Sequence, residues 1–307
     1  MKRFKNLLVV INPAEQQQPA LERACTLAQR TNAKITALLT IFDYSYEMTS
    51  ILSGEEREAM RDAVLQEQQA WLKDVIAHIK APCQVDLKLI WHNRPYEAII
   101  KQAIQHNFDM IIKGTHQHDK LSSVIFTPTD WHLLRKSPVP VLLVKDHEWP
   151  VGGKVLAAVN VAAEDGAHQQ LNKQILDTGT SLARELEGHL HMVNGYPSTP
   201  VNIAIELPDF DPHAYNQAIK NQHQNAVVEL AQEHDIDLEN CHLKEGLAED
   251  VIPELAQQID AELVILGTVG RTGFSAALIG NTAEHVIDNL NCDLLALKPE
   301  GYVSPLA

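Results

Sequence analysis

Three glycines and an arginine mark the stretch of this chain best suited to bind an anion. Gly267-Thr268-Val269-Gly270-Arg271 is followed, nine residues after Gly270, by Gly280-Asn281-Thr282. An apolar run ending in Leu266 precedes the stretch, and residues with helical spacing (Val286, Ile287, Leu290) follow it. A glycine-bearing loop between a strand and a helix exposes backbone N–H groups at the positive end of the helix dipole, which suits phosphate. No Gly-Lys-Ser/Thr closes the loop, so it is not a P-loop, and it lacks the G-x-G-x-x-G dinucleotide pattern. Taken alone, the three glycines read as two turn glycines and a capped helix.

The chain supplies its own control. Residues 107–114 align without gaps on 260–267 at an offset of 153, and the same offset carries Lys145 onto Lys298. In this earlier copy Gly270 is replaced by Gln117, Gly280 by Thr127, Asn281 by Pro128 and Ala283 by Asp130. Thr127, Pro128 and Asp130 have the spacing of a self-capped helix start, and Asp130 would place a negative charge beside an incoming phosphate. The expectation is a phosphate site in the second copy and a helix end filled by its own side chains in the first.

Both copies need a scaffold. Apolar runs at 6–12 and 154–160 each open a series of strands alternating with helices. In the first series strands are expected at 34–41, 85–91, 110–113 and 139–145, with helices at 19–30, 53–80, 96–105 and 129–135. The helix from Ser53, with capping-box spacing to Glu56, has Met60, Val64, Trp71, Val75 and Ile79 as its apolar face. In the second series strands are expected at 189–193, 241–244, 263–266 and 293–298, with helices at 169–186, 211–234, 250–258 and 282–290. Such alternation gives right-handed βαβ units and a parallel sheet covered on both faces. The expected boundaries are 1–146 for the first domain, 147–153 for a linker, 154–300 for the second domain and 301–307 for a tail. The short linker favours an intramolecular pseudo-dimer, with a homodimer as a further option.

The 307 residues are 45% hydrophobic and 21% charged, which is ordinary for globular domains. A net charge of −15 opposes sequence-independent nucleic-acid binding. No apolar run reaches the length of a membrane span, and Cys25, Cys83, Cys241 and Cys292 form no C-x-x-C pair, which reads as reduced thiols in the cytoplasm. Fifteen histidines are many for this length. His116, His118 and Asp119 follow a strand end, and His132 lies on the next helix, a grouping with zinc-ligand chemistry but no fixed-spacing motif. Polar loop histidines are the alternative. The segment 197–212, with four prolines, suits a cover over a pocket or a seam.

The pattern Gly267-x-x-Gly270, nine residues, then Gly280 resembles the nucleotide motif of the universal stress protein family, and the duplicated chain resembles its tandem members. Trp91-His92-Asn93-Arg94-Pro95 and Thr127-Pro128-Thr129-Asp130-Trp131 are among the stretches that carry the likeness. The resemblance implies an α/β fold of two tandem Rossmann-like domains, each a five-stranded parallel sheet with helices on both faces. It implies a stress-response role and ATP or AMP held by backbone amides at Gly267, Gly270 and Gly280. Asn281 stands where the family has Ser or Thr, with Leu266, Arg271 and Thr282 beside it. Asn160 and Val161 lie at the first strand's end, where nucleotide-binding members usually have Asp, and Gly195 falls near the adenine. No nucleophile–base pair, G-x-S-x-G elbow or H-E-x-x-H helix is present, so any ATP hydrolysis should be slow. A slow ATPase and a binding module for an apolar, lipid-like molecule are the alternatives.

Overall fold

A computed structural model describes residues 4–45, 52–79, 81, 83–118, 121–163, 165–198, 210–268 and 281–307, with the side chains of 116–118, 121–125 and 281–282 outside that description. Contacts divide the chain into two units, one built mainly on residues 3–118 and 125–146, the other mainly on 147–302.

In the first unit, strands β1 (Asn6–Val10), β2 (Lys34–Ile41), β3 (Val85–Trp91), β4 (Met110–Gly114) and β7 (Val141–Val144) form a parallel sheet in the order β7-β4-β1-β2-β3. Leu7, Leu8 and Val9 are all fully buried. Successive strand residues point to opposite faces, so burial of all three means that both faces are covered. Helices α1 (Pro19–Thr31), α2 (Gly54–Ile79), α3 (Pro95–Gln105) and α4 (Pro128–Lys136) make the crossovers and the last connection.

The expected capping box forms at the start of α2: Ser53 N donates to Glu56 Oε2 (2.7 Å) and Glu56 N to Ser53 Oγ (3.2 Å). Four positions of its expected apolar face, Val64, Trp71, Val75 and Ile79, are partly buried, and the fifth is not. Met60 is exposed, while Leu72 is the fully buried position and Arg61 lies over the Trp91 ring at 5.4 Å. Two short strands, β5 (His116–His118) and β6 (Leu121–Ile125), stand where a loop was expected.

The second unit repeats the plan. Strands β8 (Lys154–Ala158), β9 (His189–Tyr196), β10 (Cys241–Glu245), β11 (Ala261–Gly267) and β12 (Asp293–Leu297) are parallel in the order β10-β9-β8-β11-β12. They are joined by α5 (Gly166–Glu185), α6 (Pro212–Glu233), α7 (Ala248–Gln258) and α8 (Asn281–Asn289). Asp211 caps α6 as expected, accepting from His213 N and Ala214 N. Most of 197–212, the expected cover, lies outside the described residues.

The duplication extends to backbone detail. Asn107 and Asp260, 153 positions apart, both take a left-handed conformation (φ 51° and 54°), ahead of β4 and β11. Beyond the first strands, Ile11 N donates to Leu38 O (2.9 Å) and Val159 N to Val193 O (3.0 Å). That register makes Thr40 the repeat counterpart of Gly195. Among the described residues, no helix is long and apolar enough to cross a membrane.

Candidate functional site

In both units the groups of interest collect at the carboxyl ends of the strands, the edge where open α/β sheets bind ligands. The turn after the fourth strand of each core sheet is fixed in the same way. Thr115 N and Oγ1 both bond Val144 O (2.8 and 3.0 Å), and Thr268 N and Oγ1 both bond Leu297 O (2.8 and 3.1 Å). In the second unit Lys298 Nζ donates to Thr268 O (3.1 Å), and burial lowers its pKa to about 8.

The copies diverge one step further on. At the start of α4, Thr127 N donates to Asp130 Oδ2 (2.6 Å), Thr127 Oγ1 donates to the same oxygen (2.8 Å), and Asp130 N donates to Thr127 Oγ1 (3.3 Å). The other carboxylate oxygen of Asp130 faces Lys113 Nζ at 2.7 Å, and Lys113 also donates to Gly114 O (3.0 Å). Asp130 is fully buried. A helix terminus with an internal carboxylate, itself paired to a lysine, has two of its amide donors (Thr127 N and Asp130 N) and its dipole already answered. At the matching positions of the second unit stand Leu266 and Ala283, both buried and both without charge.

Gly267 sits where a Cβ would come within 2.3 Å of Leu171 Cδ2, so helix α5 closes on the strand end there. Gly270, Arg271 and Gly280 lie outside the described residues; Asn281 and Thr282 occupy the first positions of α8. At the end of β8 an amide network, invisible to motif reading, holds the turn. Asn160 N donates to Asn172 Oδ1 (3.0 Å), Asn172 Nδ2 to Asn160 O (2.8 Å), and Val161 N to Asn194 Oδ1 (3.1 Å). Asn194 Nδ2 in turn meets His223 Nδ1 at 2.9 Å. Asn160 Oδ1 accepts from Ala162 N (3.2 Å), which leaves its side-chain amide as the exposed polar group at that point. Gly195 is a strand residue at which a Cβ would lie 3.2 Å from Gly246 O.

The first unit has its own version of this turn: Asn12 N donates to Gln18 Oε1 (3.1 Å), and Gln18 Nε2 to Asn12 O (2.8 Å). The helix end is filled by its own side chains as expected, but the space beside it is not. A cleft of about 230 Å³ remains, lined by Asn12, Thr40, Lys113, Thr127 and Thr129 among others.

Of the residues with zinc-ligand chemistry, Asp119 and the side chains of His116 and His118 lie outside the description. The His132 ring stacks on Tyr96 with centroids 4.0 Å apart. Burial, then Lys136 and Arg135, lower its pKa, and that positive field opposes a cation at the ring. Among the described residues, no group of three or more His, Cys, Asp or Glu side chains could hold a metal ion.

The model of the universal stress protein family matches residues 3–145 and again 154–298. Universal stress protein E of Escherichia coli K12 is 51% identical over 308 aligned positions, covering 100% of this chain and 98% of that protein. The Haemophilus influenzae homolog of that protein is 45% identical, covering 97% of this chain and 98% of its own. A functionally unknown protein from Pseudomonas aeruginosa PAO1 shares the fold with a TM-score of 0.73 and 30% identity, over 99% of this chain and 95% of that one. A universal stress protein from Archaeoglobus fulgidus has a TM-score of 0.64 at 16% identity, covering 97% of this chain and 99% of its own. With two family matches spanning nearly all of its length, this chain belongs to the universal stress protein family.

Proposed function

We propose that this protein acts in the cytoplasm as a stress-response protein that binds an adenine nucleotide, ATP or AMP, in its C-terminal half as a regulatory ligand. The observation that carries this reading is the exchange of the Lys113–Asp130 ion pair for Leu266 and Ala283 one repeat later. The exchange removes the carboxylate that answers the helix amides in the first unit, and it coincides with three glycines and Arg271 in sequence. Backbone amides at Gly267, Gly270 and Gly280, with Arg271, Asn281 and Thr282, would hold the phosphates. Asn160, through its side-chain amide, and the strand end at Gly195 would face the nucleoside. A bound nucleotide supplies a charged group that favours one conformation of the loop over others, so its role is that of a ligand that shifts populations.

Titration calorimetry of the full chain with ATP tests the proposal. Binding that weakens at least about tenfold on Gly280→Val supports it, since a side chain there blocks backbone approach. Unchanged binding in that variant contradicts it.

A further inference from the structure

The second unit holds a buried amide–imidazole pair that the first unit lacks. Asn194 lies near the end of β9 and His223 on α6, and both are buried. The Asn194 amide is used on both sides: Oδ1 accepts from Val161 N (3.1 Å), while Nδ2 meets Gly195 O (3.2 Å) and His223 Nδ1 (2.9 Å). The repeat shows what the amide serves. The register that matches Val159 with Ile11 sets Pro13 at the place of Val161 and Leu39 at the place of Asn194. Proline has no N–H to satisfy, and where that donor is gone the acceptor is gone too.

A backbone N–H can only donate, so Val161 fixes the amide with Oδ1 towards the turn and Nδ2 towards the ring. His223 Nδ1 must then accept, which holds the imidazole neutral with its proton on Nε2. An imidazolium carries N–H on both nitrogens, so a proton on Nδ1 sets donor against donor. Turning the amide over relieves that contact and creates two others, Nδ2 against Val161 N and Oδ1 against Gly195 O. No orientation of the amide serves Val161 and a charged His223 together. Around the ring stand Tyr196 of β9, with centroids 5.9 Å apart, and Glu245 of β10 beside the Tyr196 hydroxyl. Cys241, at the start of β10, is turned to Asp237 O, and Lys220, one turn away on α6, is exposed. Burial lowers the His223 pKa, with no charge among the described residues contributing.

We propose that His223 is a proton-sensing positioning residue: when its imidazole takes up a proton, Asn194 releases Val161 N and the turn after β8 loses its hold. The consequence for ligand rests on the nucleotide reading of the site, in which that turn faces the nucleoside. Acid then lowers the affinity for ATP, because the turn is no longer held ready. By reciprocity, bound ATP lowers the proton affinity of His223 by the same factor. Loss of one buried hydrogen bond sets that factor at about tenfold.

Two measurements on the full chain test this. In calorimetric titrations from about pH 7.5 to about pH 5, the unaltered chain should lose about tenfold more ATP affinity than His223→Gln, whose side-chain oxygen accepts from Asn194 but does not titrate. Ionisation of ATP and of the other histidines is common to both proteins and cancels in the comparison. By NMR of the isotope-labelled protein, His223 should carry its proton on Nε2 at neutral pH, and the Val161 amide signal should move with the His223 ring as acid is added. Parallel affinity profiles for the two proteins overturn the proposal. So does a Val161 signal that ignores the His223 titration, or a neutral ring protonated on Nδ1. A chain that binds no ATP at any of these pH values ends the nucleotide reading, and the NMR titration then decides the relay by itself. The same titration decides it if His223→Gln does not fold.

Discussion

Lys113 Nζ lies 2.7 Å from Asp130 Oδ1, and one repeat later the same two positions hold Leu266 and Ala283. A buried ion pair and an apolar pair are two solutions to the same packing problem between a strand end and a helix start. Only the first also neutralises the helix terminus.

That equivalence can be tested within one protein. Asp130→Ala alone leaves Lys113, a mostly buried cation, without its carboxylate and should cost about 3–5 kcal/mol. Adding Lys113→Leu, which copies the second unit, should restore most of the loss. Chemical denaturation of the two variants measures it, and a double variant as unstable as the single one would show that the pair is not an exchangeable unit.

Gly267 is required by packing as well as by any ligand. A Cβ there would meet Leu171 Cδ2 at 2.3 Å and Cγ at 2.9 Å. Gly267→Ala should destabilise the protein by about 1–3 kcal/mol through overpacking. In a Leu171→Ala background the added methyl should cost less, because the clashing atoms are gone. Thermal unfolding of the four proteins in the cycle gives the coupling.

The second unit carries a built-in acid sensitivity. His191 Nδ1 and His242 Nε2 are 3.1 Å apart across β9 and β10. Burial, then the neighbouring His242 and Lys154, lower the His191 pKa to about 4. Between about 6.5 and 4 the unfolded chain binds a proton at His191 that the folded chain does not, so stability falls as pH drops through that window. His191→Gln should flatten the dependence of Tm on pH there. An equally steep profile in the variant would assign the acid sensitivity to other groups.

The thiols differ in reach. Cys25 and Cys83 are neighbours, and burial, with the neighbouring Cys83, raises the Cys25 pKa to about 12. Burial raises Cys83 as well, but that side chain is only partly covered. Iodoacetamide labelling followed by mass spectrometry should find Cys83 modified before Cys25, since the thiolate is the reacting species. Equal rates would mean that Cys25 is not shielded in solution.

The sheet cores were legible because Leu7-Leu8-Val9 and Leu263-Val264-Ile265 are continuous apolar runs, which only a strand buried on both faces explains. The Thr127–Asp130 capping box was legible for a local reason: its partners are three residues apart. What stayed hidden depends on distance along the chain. Lys113 read as a strand end, and nothing near it announces Asp130. Asn172 and Asn194, which hold the turn after β8, carry no local signal that sets them apart from the other polar residues of α5 and β9. The Cys25–Cys83 contact joins α1 to the turn before β3. Strand β5 eluded periodicity because His116-Gln117-His118 is wholly polar, and Met60 was assigned to the wrong face of α2 by a register error of one position.

The most direct test of the central claim is photolabelling of the full chain with 8-azido-ATP, followed by mapping of the modified peptide. The account predicts label within residues 154–300, lost when unmodified ATP competes. Label confined to the first unit, around residues 10–20 or 113–130, would contradict it.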